Sequence, residues 1–203
     1  ARQINALEND AVERLGLDGQ PGSTAVQLVI NADSLSTWVL PALAQVEGIG
    51  FEFTLEDQDY SAEGLRNGTA MAAVTSSPEP VQGCSVTGLG TMRYRPAASP
   101  AFRSRWFDRG FDAVQAASAP MVVFNRRDAL QARFLEAAFG PGLQPPRHYV
   151  PASWDFLQAV RLGFGWGMLP DLQSEELLAE GSIVLLDPDA HLDVPLYWQQ
   201  WRV

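Results

Sequence analysis

The sequence predicts an α/β protein that consists of two similar lobes. Amphipathic stretches alternate with short apolar runs, which is typical of helices and strands that share a sheet. The alternation starts over after residues 92–96, MRYRP, where we expect the chain to pass from one lobe to the other. The chain has 203 residues, of which 46% are hydrophobic, so it can bury a substantial core. Two such lobes joined by extended crossings would form a hinged clamp with a cleft between them.

The chain starts with a charged segment of helical pattern. Residues 1–15, ARQINALENDAVERL, place apolar side chains near helical spacing with charges between them, which predicts the end of an amphipathic helix. A frayed terminus is the alternative interpretation. Residues 16–23, GLDGQPGS, have the glycine and proline content of a linker.

The first lobe begins with residues 26–43, VQLVINADSLSTWVLPAL, which predict a buried strand, a polar turn and a helix. Short oxygen-bearing side chains that could cap this helix are Asp33, Ser34 and Ser36. Pro41 lies inside the predicted helix and has no N–H to bond to the carbonyl of Thr37. We therefore expect a kink or a restart of the helix at Pro41.

The remaining elements follow from hydrophobic spacing and from the turn residues between them. The first lobe is completed by strands at residues 51–55, 70–75 and 84–91 and by a short helix at 61–66. In the second lobe, helices are predicted at residues 100–107, 128–139, 154–162 and 172–180. Its strands are predicted at residues 121–124, 147–150, 166–169, 183–186 and 196–203.

Composition and charge argue against several classes of function. The net charge of −10 argues against nucleic-acid binding by this chain itself. Cys84 is the only cysteine, so we expect it to be a small buried side chain and expect no disulfide. The two histidines, His148 and His191, are far apart in the sequence, so we expect no metal and no cofactor. No apolar run is long enough to span a membrane, and no signal peptide is evident, which predicts a cytoplasmic protein.

Motifs of enzymes are absent or in the wrong context. Gly163, Gly165 and Gly167 spell GxGxG, but they precede a predicted strand and do not open a helix, so they are not a dinucleotide fingerprint. The sequence offers no G-x-S-x-G and no nucleophile–base–orienter arrangement. We therefore expect no enzymatic activity.

Polar residues follow several predicted strands. Those that open a helix at the carboxyl end of a strand are Asp33, Ser34, Asn125, Asp128 and Ser153. Helix N-termini favour negative groups, so a ligand carboxylate could bind there. The strand at 51–55 ends instead in Glu56 and Asp57, which would attract a cation. A cleft with both features fits a basic amino acid, although the acidic pair could also simply begin a solvated loop.

Six motifs together resemble one protein family. They are NADSLSTWVLPAL, LED at residues 55–57, LRNGTAMAAVT, GLGTMRY, VPASWDF and GFGWGMLP. They resemble the effector-binding domain of LysR-type transcriptional regulators and, within that family, the ArgP (IciA)/LysG group. The resemblance implies a two-lobed fold like type 2 periplasmic binding proteins, with a hinge of two crossing strands. It also implies that residues 1–16 are the end of the linker helix for dimerisation and that residues 17–93 form lobe I. Residues 94–203 would form lobe II, with a final strand that crosses back toward lobe I. The N-terminal winged helix-turn-helix domain would be absent from this chain.

The same resemblance implies a function and a set of site residues. The domain would bind lysine, arginine or possibly histidine, form homodimers or homotetramers, control an amino-acid exporter gene, and reach DNA only through the missing N-terminal domain. The residues that match effector-contacting positions are Asp33, Ser34, Thr37, Glu56, Asp57, Met92, Phe124, Asn125, Asp128, Ser153 and Trp154. Gln58 stands where the family usually has another acidic residue, which leaves the choice among the three amino acids open.

Two other classes of function remain open at this point. An extracytoplasmic amino-acid-binding protein of a transporter would share the bilobal fold and the cleft. An enzyme on the same fold would need a reactive group in the cleft, and the sequence offers none.

Overall fold

The computed structural model of the chain describes residues 25–57 and 60–202. The predicted linker helix at 1–16, the linker that follows it, Gln58 and Val203 lie outside the described residues. The sheet of the first lobe is parallel and is built on β1 (Val26–Ile30). This strand pairs with β2 (Phe51–Leu55) on one side and with β3 (Ala72–Thr75) on the other. Because parallel strands end at the same edge of a sheet, the residues that follow β1 and β2 lie side by side.

The helix after β1 has three parts. An α-helical turn α1 (Ala32–Ser34) leads into a π-helical turn (Leu35–Val39), and α2 (Leu40–Leu43) continues from it with Pro41 in its first turn. The predicted restart at Pro41 is therefore confirmed, since proline lacks the N–H that a continuous α-helix would need there. A short helix α3 (Ala62–Arg66) then precedes β3.

Two long antiparallel strands cross between the lobes. They are β4 (Cys84–Ala98) and β9 (Leu192–Trp201), and they confirm the predicted hinge of two crossing strands. The sequence predicts that β4 ends at Thr91, but the strand continues to Ala98 because β9 pairs with it as far as Tyr94 and two further strands pair with it beyond that point. For the same reason β9 begins four residues before the predicted start at 196.

The second lobe places helices around short strands. The strands are β5 (Met121–Val123), β6 (Arg147–Tyr149), β7 (Gly167–Pro170) and β8 (Val184–Leu185). The helices are α4 (Pro100–Trp106), α5 (Ala113–Ser118), α6 (Leu130–Phe139), α7 (Ser153–Arg161) and α8 (Asp171–Ala179). Helix α5 is not predicted from the sequence, because its small residues show no apolar spacing. Its N-terminus is fixed by Asp112, whose Oδ1 accepts from two backbone N–H groups.

One curled sheet connects the two lobes through the hinge. Its strand order is β2-β1-β3-β9-β4-β7, with β8 also paired to β4, while β5 and β6 form a separate parallel pair. The largest hydrophobic cluster runs through the hinge, from Leu28 and Ile30 in the first lobe to Phe134 and Trp166 in the second. Cys84 is buried as predicted. Among the described residues, no helix is both long and apolar enough to cross a membrane.

The three glycines of the GxGxG motif have structural roles. Gly163 has a φ of +81° after α7, and Gly163 N and Phe164 N donate to the carbonyls of Val160 and Ala159, which ends the helix in a Schellman motif. A Cβ on Gly165 would lie 2.8 Å from the carbonyl oxygen of Pro120, and one on Gly167 would lie 2.8 Å from the ring of Phe156. These are close approaches between elements of the second lobe, as expected for a motif that precedes a strand.

Candidate functional site

A cavity of about 110 Å³ lies between the two lobes. It is lined by the end of β2, by the residues that follow β1, β2 and β5, and by residues of the hinge strand β4, of β7, of α7 and of the first turns of α6 and α8. Its lining residues are Asn31, Ala32, Asp33, Leu55, Glu56, Asp57, Tyr94, Phe124, Asn125, Asp128, Leu130, Gln131, Phe156, Met168, Leu169, Pro170 and Gln173. Four of these carry a carboxylate, and none of them is arginine, lysine or histidine. The cavity therefore favours a cationic ligand.

Asp33 joins three parts of the protein at one end of the cavity. Its Oδ1 accepts a hydrogen bond of 2.6 Å from Ser153 Oγ, and its Oδ2 accepts one of 2.9 Å from the hydroxyl of Tyr94. Burial raises the pKa of the Asp33 carboxyl, and the two hydrogen bonds oppose that shift. Burial and the charge of Asp33 raise the pKa of Tyr94 well above its ordinary value, so Tyr94 is the donor in this pair.

The predicted caps of the first helix are wrong. The residue at the N-cap position is Asn31, and its side chain makes no capping hydrogen bond. Asp33 has tertiary partners instead, Ser34 is fully buried, and the hydroxyl of Thr37 donates to the carbonyl of Asp33. Local spacing favours a cap at these positions, but partners distant in the sequence determine where the Asp33 side chain points.

The polar turn after β5 is used to start α6. Asn125 Oδ1 accepts from the backbone N–H groups of Arg127 and Asp128. Asp128 Oδ1 accepts from Leu130 N at 2.9 Å, and its Oδ2 accepts from Phe124 N at 3.1 Å. The carboxylate thus holds the turn and the first turn of the helix in place against the cavity.

The acidic pair after β2 lies at the cavity, as the sequence predicts, and forms what we call the acidic lip, Glu56 and Asp57. Glu56 also forms an ion pair with Arg127 of the second lobe, and the two side chains are 35% and 54% exposed. The Arg127 guanidinium lies 4.4 Å from the centre of the Tyr60 ring. The acidic lip therefore already holds a cation of this chain.

Two amides lie at the buried part of the cavity lining. Asn31 is 3% exposed and Gln131 is 2% exposed. Asn31 Oδ1 and Gln131 Oε1 have no hydrogen-bond partner within the described part of the chain. A buried amide oxygen without a partner is uncommon, since it costs the free energy of removing it from water.

The residues predicted for the site fall into two groups. Those that line the cavity are Asp33, Glu56, Asp57, Phe124, Asn125 and Asp128, and Ser153 reaches it through its hydrogen bond to Asp33. The others lie elsewhere. Ser34 is buried, Thr37 bonds to the helix backbone, Met92 is in the core, and Trp154 is 62% exposed on the surface.

Several lining residues are not predicted from the sequence. They are Asn31, Tyr94, Gln131 and Gln173, and Arg127 joins them at the acidic lip. Asn31 directly follows a predicted strand, and Gln131 falls in the first turn of a predicted helix. These positions in the predicted elements could have indicated that the two residues lie near the site. Nothing in the sequence indicates the role of Arg127, because its partner Glu56 is 71 residues away. No group of three or more histidine, cysteine, aspartate or glutamate side chains is arranged for a metal within residues 25–57 and 60–202.

Comparison with known proteins identifies the family. The model of the LysR substrate binding domain matches residues 6–202. The HTH-type transcriptional regulator LysG of Mycobacterium tuberculosis is 42% identical over 203 residues, which are all of this chain and 67% of the relative. The chain thus spans about two thirds of that relative's length.

Solved structures agree with this match. The crystal structure of ArgP from Mycobacterium tuberculosis superimposes with a TM-score of 0.86 at 42% identity, covering 99% of this chain and 68% of that one. The full-length LTTR LysG from Corynebacterium glutamicum with bound effector Arg gives a TM-score of 0.81 at 35% identity, covering 100% and 69%. These relatives are transcriptional regulators and not enzymes. The chain belongs to the LysR substrate-binding domain family, the two-lobed regulatory domains of LysR-type transcriptional regulators.

Proposed function

We propose that this chain is the co-inducer-binding and oligomerisation domain of a LysR-type regulator that senses a basic amino acid, lysine or arginine and possibly histidine. The observation that carries the proposal is the charge of the cavity, whose described lining residues include four carboxylates and no arginine, lysine or histidine, although Arg127 pairs with one of these carboxylates, Glu56, from outside the lining. A similar LysG structure contains bound effector Arg, which agrees with this charge.

The two ends of a basic amino acid find different partners in the cavity. The acidic lip, Glu56 and Asp57, attracts the side-chain cation. The first turns of α6 and α8 also line the cavity, and the N–H groups at helix N-termini favour a carboxylate. The cavity thus separates favourable positions for a cation and for the α-carboxylate.

Effector binding would act through the arrangement of the lobes. The cavity of about 110 Å³ is smaller than the roughly 300–1,000 Å³ of ligand pockets, which supports the proposal that the lobes separate when the effector enters. A ligand that binds one arrangement better shifts the population toward it, and a coupling of about 1–3 kcal/mol suffices for regulation.

The rest of the proposal concerns the whole regulator. Lobe I would span 17–93 and lobe II 94–203, after a linker helix that ends near residue 16. The protein would be a cytoplasmic homodimer or homotetramer that reaches DNA through an N-terminal winged helix-turn-helix outside this chain. One relative is named a lysine export transcriptional regulatory protein, which supports control of an amino-acid exporter gene. The transporter-associated alternative is not favoured, because the similar proteins are regulators.

Calorimetric titration of the chain with lysine and with arginine tests the proposal. We expect both to bind, and we expect Glu56→Gln and Asp57→Asn each to weaken binding about tenfold. Glu52→Gln is the matched control, because Glu52 is exposed on the same strand and outside the cavity lining. Unchanged affinity in both lip variants would contradict the proposed ligand class.

A further inference from the structure

Two amide side chains that line the cavity each carry a buried oxygen with no hydrogen-bond partner among the described residues. Asn31 Oδ1 and Gln131 Oε1 have no partner in the described residues, although both side chains are more than nine-tenths buried. The other buried polar atoms without a hydrogen-bond partner there belong to Ser34, Trp166 and Arg95, whose Nε is ion-paired with Asp171, and none of these three residues lines the cavity. Asn31 and Gln131 are therefore the described lining residues that have a buried side-chain oxygen without a hydrogen-bond partner.

An amide oxygen only accepts, so the group that satisfies it must bring an N–H or O–H. The Asp33 carboxylate lines the same cavity, and nearby charge favours a donor that is itself positive. Each oxygen of the Asp128 carboxylate already accepts one backbone N–H, whereas the amide oxygens of Asn31 and Gln131 accept none among the described residues. An ammonium group, with three N–H donors and a positive charge, meets these conditions.

The position of Gln131 indicates which ammonium group of the ligand this is. Gln131 is in the first turn of α6, where the helix N-terminus favours a carboxylate. In an α-amino acid the ammonium and the carboxylate are attached to the same carbon, so both groups can be held at this turn. The side-chain cation then extends toward the acidic lip, Glu56 and Asp57.

We propose that Asn31 and Gln131 bind the α-ammonium group of the effector and make the cleft selective for α-amino acids over other cations. This inference rests on the proposed function and adds two binding residues to it. The acidic lip then selects the basic side chain of the ligand, and Asn31 and Gln131, which we call the amide pair, select its α-amino group.

The test compares lysine with 6-aminohexanoate, which is lysine without the α-amino group, by calorimetric titration of the 203-residue chain. We expect wild-type protein to bind lysine about tenfold or more tightly than 6-aminohexanoate. Gln131→Leu should lower this ratio about tenfold through weaker lysine binding, with little change for 6-aminohexanoate. Gln158→Leu is the matched control, because Gln158 is half-buried on α7 and outside the cavity lining.

The outcomes separate this inference from the proposed function. If lysine binds but the ratio is near one in wild type, or is unchanged by Gln131→Leu, the amide pair does not hold the α-ammonium group. If neither lysine nor arginine binds wild-type protein, the proposed function fails and this inference fails with it. Gln131→Met serves as a second variant if the leucine variant does not fold, and the wild-type ratio tests the inference without any variant.

Discussion

The hydroxyl of Ser153 donates a hydrogen bond of 2.6 Å to Oδ1 of Asp33, across the cleft between the lobes. Asp33 follows β1 in the first lobe, and Ser153 begins α7 in the second. The hydroxyl of Tyr94, on the hinge strand β4, donates to the other oxygen of the same carboxylate. One carboxylate thus connects both lobes and the hinge, so an effector that changes the position of Asp33 would change the contact between the lobes.

Removing the Ser153 hydroxyl should destabilise the protein. In Ser153→Ala the partly buried Asp33 carboxylate keeps the bond from Tyr94 and loses the bond from the second lobe, which we expect to lower the free energy of unfolding by about 1–3 kcal/mol. Urea denaturation measures this value. Ser182→Ala, which removes a surface hydroxyl that bonds to Glu180, is the control and should change little. Equal effects of the two substitutions would contradict the role of Ser153.

Asp33→Asn should change how stability depends on pH. Burial raises the pKa of the Asp33 carboxyl above 3.8, so the folded state holds this proton to a higher pH than the unfolded chain does. The free energy of unfolding of the wild type therefore falls as pH rises through that range, and the asparagine variant lacks this loss. Denaturation at a series of pH values should show the variant gaining stability relative to wild type as pH rises. A difference that stays constant or shrinks would be evidence against a raised pKa.

Arg127→Ala should strengthen binding of lysine. Arg127 pairs with Glu56, so the ligand's cation competes with a cation of the protein at the acidic lip. The exposed pair and its contact with Tyr60 are worth about 1 kcal/mol together, which predicts an affinity about two- to fivefold higher. Arg126→Ala is the control, because it removes the same charge from the neighbouring residue, whose guanidinium lies over Tyr149. Calorimetry that shows weaker binding only in Arg127→Ala would instead make Arg127 a ligand-binding residue.

Gly165→Ala should destabilise the second lobe. The new Cβ would lie 2.8 Å from the carbonyl oxygen of Pro120. Because the backbone cannot move aside as a flexible side chain can, we expect the free energy of unfolding to fall by about 1–3 kcal/mol. Gly88→Ala is the control, because a Cβ there meets nothing within 4 Å and the residue has no left-handed φ. Thermal unfolding compares the two, and similar midpoints would contradict the close approach.

The sequence predicts the parts of this fold that depend on local pattern. The strand–turn–helix unit after Val26, the restart at Pro41 and the position of the acidic lip at a strand end all follow from neighbours in the chain. Residues far apart decide the rest. β4 is longer than predicted because its pairing with β9 and β7 continues past Met92, and only the folded chain shows that pairing.

The candidate site shows the same division. Glu56 and Asp57 are predicted because two carboxylates at the end of a strand are visible in the sequence. Asp33 is predicted at the cleft but with the wrong partners, since Tyr94 and Ser153 are 61 and 120 residues away. The positions of Asn31 and Gln131 at a strand end and a helix start are visible in the sequence, but their burial without a hydrogen-bond partner is not, since it requires coordinates.

Titration of the chain with lysine and with norleucine tests the central claim most directly. Norleucine keeps the α-amino and α-carboxylate groups and the same six-carbon chain, with a hydrogen atom in place of the side-chain ammonium group. If Glu56 and Asp57 recognise the side-chain cation, lysine should bind about tenfold or more tightly than norleucine. Equal affinity, or tighter binding of norleucine, would show that the cleft does not recognise a basic side chain.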